Sequence, residues 1–193
     1  MRRQMIRANV VLLAAGLLSM GAFGQNGEPA PEQYSATWIV TGGSAGGTSV
    51  PIDIHITRYN TNAEIGEYAS LLAKSGGPAL RSALEKQDVG QFSPVGRVGT
   101  TLCVARKLVD GNTTVVRVLT LRNITFEELR NNGRSVDYPY TMLEMKLDKD
   151  GKGTGSAIRA AKISFNKKKG NYEIESFGHG EAYNKLANVR RVK

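Results

Sequence analysis

A chain of 193 residues, 40% hydrophobic, is long enough to bury the core of one ordinary domain and too short for several. Its formal charge of +9 is basic without being extreme. One cysteine excludes an internal disulfide, and two histidines exclude a histidine triad for a metal.

Arg2, Arg3 and Arg7 precede an almost purely apolar run over residues 10–20, which is too short to span a bilayer. Ala22-Phe23-Gly24 follows with the small-x-small pattern of a cleavage site. These features predict a signal peptide over 1–24 and an exported chain, periplasmic or extracellular, with no transmembrane segment after its removal. Processing takes away three arginines and no acid, leaving about +6. Residues 25–33 are polar and Pro-containing, and read as a flexible lead-in to a single β-rich domain over 34–193.

The domain opens with Tyr34, Ala36, Trp38 and Val40 alternating against Ser35, Thr37 and Ile39, a first strand. The Gly-rich residues 42–47 break it. Val50, Ile52, Ile54 and Ile56 then alternate with Pro51, Asp53, His55 and Thr57 as a second strand. Pro51 cannot donate to a ladder, which favours an edge position or the first residues of the strand.

Thr61 and Glu64 have capping-box spacing, and Ile65, Tyr68, Ala69 and Leu72 make one apolar helical stripe. Gly76-Gly77 ends that helix. Pro78 suits the start of a second, shorter one carrying Leu80, Ala83 and Leu84. The expected helical pair covers an opening or a face of the sheet.

Strand character returns from Val89, with a bend or bulge over 92–98 at Pro94, Gly96 and Gly99. Asp110-Gly111 joins two strands, 102–108 and 114–121, as a hairpin. The second is apolar on both parities except Arg117, which marks a strand covered on both sides. A single helical turn is expected at 125–128. Residues 138–176 then write an antiparallel meander, three alternating segments split by Gly/Lys/Asp turns. Leu143, Met145 and Leu147 oppose a wet face of Glu144, Lys146 and Asp148. Ala161, Ile163 and Phe165 repeat the pattern, as do Tyr172 and Ile174 against Glu173 and Glu175. Leu186, Val189 and Val192 mark a last strand before Arg190, Arg191 and Lys193.

The run Asp137-Tyr138-Pro139-Tyr140-Thr141, with Glu144, Gly151, Gly153, Gly155 and Ala160-Ala161-Lys162, resembles small exported bacterial proteins of unassigned function. The resemblance covers mainly the C-terminal half and departs from the pattern at Tyr140, where phenylalanine is expected. It implies export and carries no chemistry.

Gly42-Gly43-Ser44-Ala45-Gly46 fits G-x-S-x-G, whose catalytic form needs a strand before the serine and a helix after it. Asp137 and His179 supply an acid and a base in the right order, with His55 as a second base, but residues 48–57 read as strand. A Gly-rich hairpin loop explains the motif with fewer assumptions. Asp53 and His55 share a strand face and read as exposed polar residues. Asp148 and Asp150 match a calcium loop, but Lys152 and Arg159 occupy positions that need acids, so the stretch reads as a solvated turn.

Lys167-Lys168-Lys169 and the terminal basic residues could touch anionic polymers, head groups or nucleic acid; no nucleic-acid motif accompanies them. Lys162 opposite Glu173 or Glu175 reads as cross-strand pairing, and Cys103 as a buried, inert thiol. Asn112 and Asn123 begin formal glycosylation sequons.

The expected fold is α+β and β-dominated, an antiparallel barrel or curved sheet of seven to nine strands with a helical pair after the second strand. The expected function is non-enzymatic binding of a small ligand or an envelope partner, without metal, cofactor or nucleic acid. The alternative is a serine hydrolase using Ser44 with His179 and Asp137.

Overall fold

From Tyr34 and from Val50 onward, every second side chain of β1 (Glu32–Val40) and β2 (Thr48–Ile56) is apolar. The two strands pair antiparallel from Glu32 with Ile56 to Val40 with Thr48. Successive strand residues face opposite sides, so this register puts Tyr34, Ala36, Ile52, Ile54 and Ile56 on one buried face. The computed structural model describes residues 31–40, 48–122, 134–177 and 184–192.

β1 begins before the expected lead-in ends: Glu32 and Gln33 are already strand, and Glu32 is buried. Pro51 stands among the first residues of β2, where β3 (Gly90–Pro94) reaches only as far as Ile52. Just past that point the Val95 amide still donates to the Pro51 carbonyl at 3.0 Å, so the missing amide leaves this end pairing with one bond, which the start of a strand tolerates.

β4 (Thr100–Asp110) and β5 (Thr113–Leu121) form the expected hairpin, turning at Gly111 with φ +56°. A 3-10 turn, Arg134–Asp137, leads into β6 (Tyr140–Leu147), then β7 (Lys152–Asn166), β8 (Asn171–Ser176) and β9 (Asn184–Arg191). The expected turn at 125–128 lies outside the described residues. All pairings are antiparallel, in the order β6-β5-β4-β3-β2-β1-β9-β7-β8. β6 also pairs with β7, so eight strands close a barrel and β8 stands outside the ring as a hairpin partner of β7. The last strand is the closing one: β9 lies between β1 and β7.

β6, β7 and β8 form the expected antiparallel meander. β7 starts earlier than its alternating segment at Ala161: residues 152–160 are also strand and form the barrel half of β7. Its second half, from Ala161 to Asn166, leaves the ring and pairs with β8. Gly153 and Gly155 explain both the geometry and the hidden start of the strand. A Cβ on Gly153 would overlap the Lys146 carbonyl oxygen, and one on Gly155 the Glu144 carbonyl oxygen. Only glycine lets the β6 backbone come so close, and two glycines erase the alternation that marks a strand.

The closed sheet has two dry faces. Inside, Tyr34, Ile52, Ile54, Phe92, Leu102, Val116, Leu143, Met145 and Leu186 pack on one another, with Trp38 against them. These side chains make one hydrophobic cluster inside the ring, and eight strands leave an interior narrow enough for side chains to fill. Outside, Cys103, Val104, Leu119, Met142, Ile158 and Ile163 form a second core with Ile65, Leu72, Leu80 and Leu84 of the helix. The double covering of β5 expected from its apolar parities is thus explained.

The helical pair is one kinked helix, α1 (Asn62–Leu84). Gly76 takes φ +80° and ψ −175° and breaks the helical path, which resumes over the turn containing Pro78. Thr61 Oγ1 accepts from the Glu64 amide at 3.2 Å, and Glu64 Oε2 accepts from the Thr61 amide at 2.7 Å, completing the capping box. Ile65, Ala69 and Leu72 bury the predicted stripe against the outer wall.

Candidate functional site

Glu32 is the first residue of β1 and shares the inward parity of Tyr34 and Ala36. The strand therefore carries a carboxylate into one end of the barrel, where it is only 9% exposed. Three other elements meet it there. Tyr34 Oη donates to Glu32 Oε2 at 2.6 Å, and Tyr59, in the connection before α1, donates to the same oxygen at 2.5 Å. Lys107 Nζ reaches Oε1 at 2.6 Å from β4, and Arg191 Nη1 stands 3.7 Å from it on β9. The Lys107 ammonium also lies 5.9 Å from the centre of the Tyr59 ring.

Burial pushes the Glu32 carboxyl up, but the bonds from Lys107, Tyr34 and Tyr59 outweigh it and hold the group below the usual carboxylate range. Burial first, and then the neighbouring carboxylate, raise Tyr34. Burial and the Tyr34 hydroxyl raise Tyr59. A general base needs a pKa near the working pH, and these groups are driven away from it in both directions. Both carboxylate oxygens are already engaged. The cluster is chemically a clasp that joins the first strand, the helix connection, β4 and the last strand.

Outside the same end, the closing strands present cations. Lys152 on β7 stands directly opposite Arg190 on β9, and Lys146 on β6 stands opposite Thr154. All three basic residues are exposed, as is Lys185 further along β9 opposite Ser156. Among the described residues, Lys152, Lys185 and Arg190 make no ion pair. Lys146 lies 3.4 Å from Glu144, which Arg117 already holds at 2.7 Å. Glu144 is buried, so the expected wet face of β6 is wet only at Lys146 and beyond. In the same outer row, Arg106 is buried opposite Arg117 and donates to Asn62 Oδ1 at 2.7 Å.

Of the residues singled out by the sequence for a hydrolase, those that are described stand on separate elements. Ser44 and His179 lie outside the described residues, as does Asn123. Asp137 closes the 3-10 turn ahead of β6. The strands flanking Ser44 pair directly with each other, Val40 opposite Thr48, so the chain returns as strand where a nucleophile elbow continues as helix. Asp53 and His55 face outward on β2, opposite serines and glutamines of β1 and β3. Asp148 Oδ1 accepts from the amides of Asp150 and Lys152, which makes it the organiser of a turn. Among the described residues, no three His, Cys, Asp or Glu side chains gather as metal ligands.

Lys169 pairs with Glu173 at 3.1 Å, and Lys162 stands opposite Glu175. Cys103 is free and buried, and burial pushes its thiol up to about 12. Asn112 is exposed at the β4–β5 turn. No described helix is long and apolar enough to cross a membrane.

Sequence reasoning missed the Glu32 clasp, although a signal was present: Glu32 has the parity of Tyr34, Ala36 and Trp38, an acid in line with an apolar row. No protein-family model, curated protein or solved structure matches the chain.

Proposed function

We propose that the protein is an exported, non-enzymatic barrel that binds its partner on the outer wall. The packed interior is the observation that carries this reading: Tyr34, Trp38, Phe92, Leu102 and Met145 occupy the space a ligand would take in a hollow barrel. The carboxylate and tyrosines at the barrel end engage one another and are tuned away from proton transfer at neutral pH. Exposed, unpaired cations on β7 and β9 supply what a partner can recognise. Export rests on the sequence of residues 1–24.

Two measurements test the reading. Intact mass should find the chain in an extracytoplasmic fraction, beginning within a few residues after Gly24; an unprocessed cytoplasmic chain overturns export. Trp38 is the only tryptophan and packs against the interior core, within 5.7 Å of the Phe92 ring centre. Titration with fatty acids or other apolar probes should leave its emission unchanged. A saturable change would place a ligand inside and overturn the outer-wall reading.

A further inference from the structure

We infer that the outer wall formed by β6, β7 and β9 is a docking surface for an acidic polysaccharide, held by Lys146, Lys152 and Arg190 with Lys185 extending the track. The inference rests on the outer-wall reading and names the partner's chemistry. Its first support is the register. Like charges directly opposite each other on neighbouring strands destabilise a sheet. Lys152 and Arg190 are placed that way, both exposed, and no acid among the described residues pairs with either. An anion lying between them removes that repulsion, and the Arg190 fork can take a carboxylate or sulfate through two N–H groups.

The second support is shape and spacing. β6, β7 and β9 are neighbours in the ring, so Lys146, Lys152 and Arg190 cross three adjacent strands as one row. Facing residues on paired strands lie about 5 Å apart and diagonal ones about 7–8 Å. A row of this kind fits repeated anions on an extended polymer better than one compact anion. Asp148 and Asp150 lie in the adjoining turn, where Asp148 is committed to backbone amides.

The third support is what lies beside the cations. Thr154, Ser156 and Ser35 share the outward parity of Lys152 and Arg190, and no aromatic residue stands in the row. Surfaces that bind single-stranded nucleic acid combine cations with aromatic platforms for bases. Hydroxyls among cations suit a hydroxylated, charged chain, which favours a polysaccharide.

The test uses the purified protein with heparin and polygalacturonate as probes. Both should bind at low salt and release as salt rises. The double variant K152E/R190E should bind at least about tenfold more weakly. The dependence of log affinity on log salt should fall by about two. The neutral variant K152Q/R190Q serves if charge reversal perturbs folding, and K168E at the β7–β8 tip should stay within about twofold of the parent. Unchanged binding by both double variants overturns the inference, as does loss on K168E alone. Preference for single-stranded DNA overturns it in favour of nucleic acid. Failure of both polysaccharides while Trp38 stays insensitive to apolar probes sinks the polysaccharide inference and leaves outer-wall binding standing. Polymer binding that shifts Trp38 emission sinks both.

Discussion

Lys107 on β4 meets Glu32 on β1 at 2.6 Å, although β2 and β3 lie between their strands in the ring. The contact crosses the end of the barrel and fixes its first strand to the opposite wall. Replacing Glu32 with Gln keeps an acceptor for the tyrosines but leaves the Lys107 ammonium, 21% exposed, without its counter-charge. The expected loss is about 2 kcal/mol, below that of a fully buried pair because solvent still reaches both groups. Urea unfolding should show a lower midpoint at unchanged slope. A Glu32→Gln/Lys107→Met double variant should recover part of the loss.

Acid should act through the same residue. Glu32 is held below its ordinary value of 4.5, so folding binds fewer protons than the unfolded chain. Its contribution is fully present above 4.5 and is lost as pH falls through the lower folded value. Thermal midpoints of the parent should drop below that point, and the difference between parent and Glu32→Gln should shrink there. A constant difference across the acid range would exclude Glu32 as the source.

Gly153→Ala should be among the costliest small substitutions, since the new Cβ overlaps the Lys146 carbonyl oxygen of the neighbouring strand. Moving that backbone should cost about 2–3 kcal/mol. Gly77→Ala is the control: a Cβ there meets nothing within 4 Å, and alanine should be neutral or stabilise by up to about 1 kcal/mol. Comparable losses at both sites would refute the close-approach explanation.

The same glycines show what could be read from the chain and what could not. Wherever Cβ atoms alternate in character, as at Ile52, Ile54 and Ile56, the strand and its buried face are legible. Where glycine replaces the informative side chains, as in residues 153–155, strand reads as turn. Closure was beyond local pattern, because the insertion of β9 between β1 and β7 depends on pairings far apart in sequence. Glu32 is hard to read locally because it stands two residues ahead of the apolar row that starts at Tyr34, beside the polar lead-in. Arg117 stood out as the one break in an apolar strand, but its partner Glu144 looked solvated, since nothing local shows that the outer wall is covered there.

Cys103 should be inert in the folded protein. Its thiol is buried, raised to about 12, and donates to the Leu119 carbonyl at 3.2 Å. Reaction with an aromatic disulfide reagent at neutral pH should therefore follow the unfolding transition in urea. Rapid labelling without denaturant would show that the thiol is reachable in the native state.

Arg117 and Glu144 meet at 2.7 Å on the outer face of β5 and β6, with side chains 12% and 8% exposed. Opposite Arg117 stands the buried Arg106, whose guanidinium is lowered by burial and by Arg117 itself. Glu144 thus offsets the charge of a site where two arginines crowd each other. Glu144→Gln preserves volume and one acceptor while removing that charge, and should cost about 3 kcal/mol, more than Glu32→Gln because both partners are more deeply buried. Arg117→Met on the Glu144→Gln background should restore part of the stability by removing a crowded cation. If Glu144→Gln costs no more than an exposed substitution, or Arg117→Met adds its full penalty on top, the carboxylate is not what makes the buried arginines tolerable.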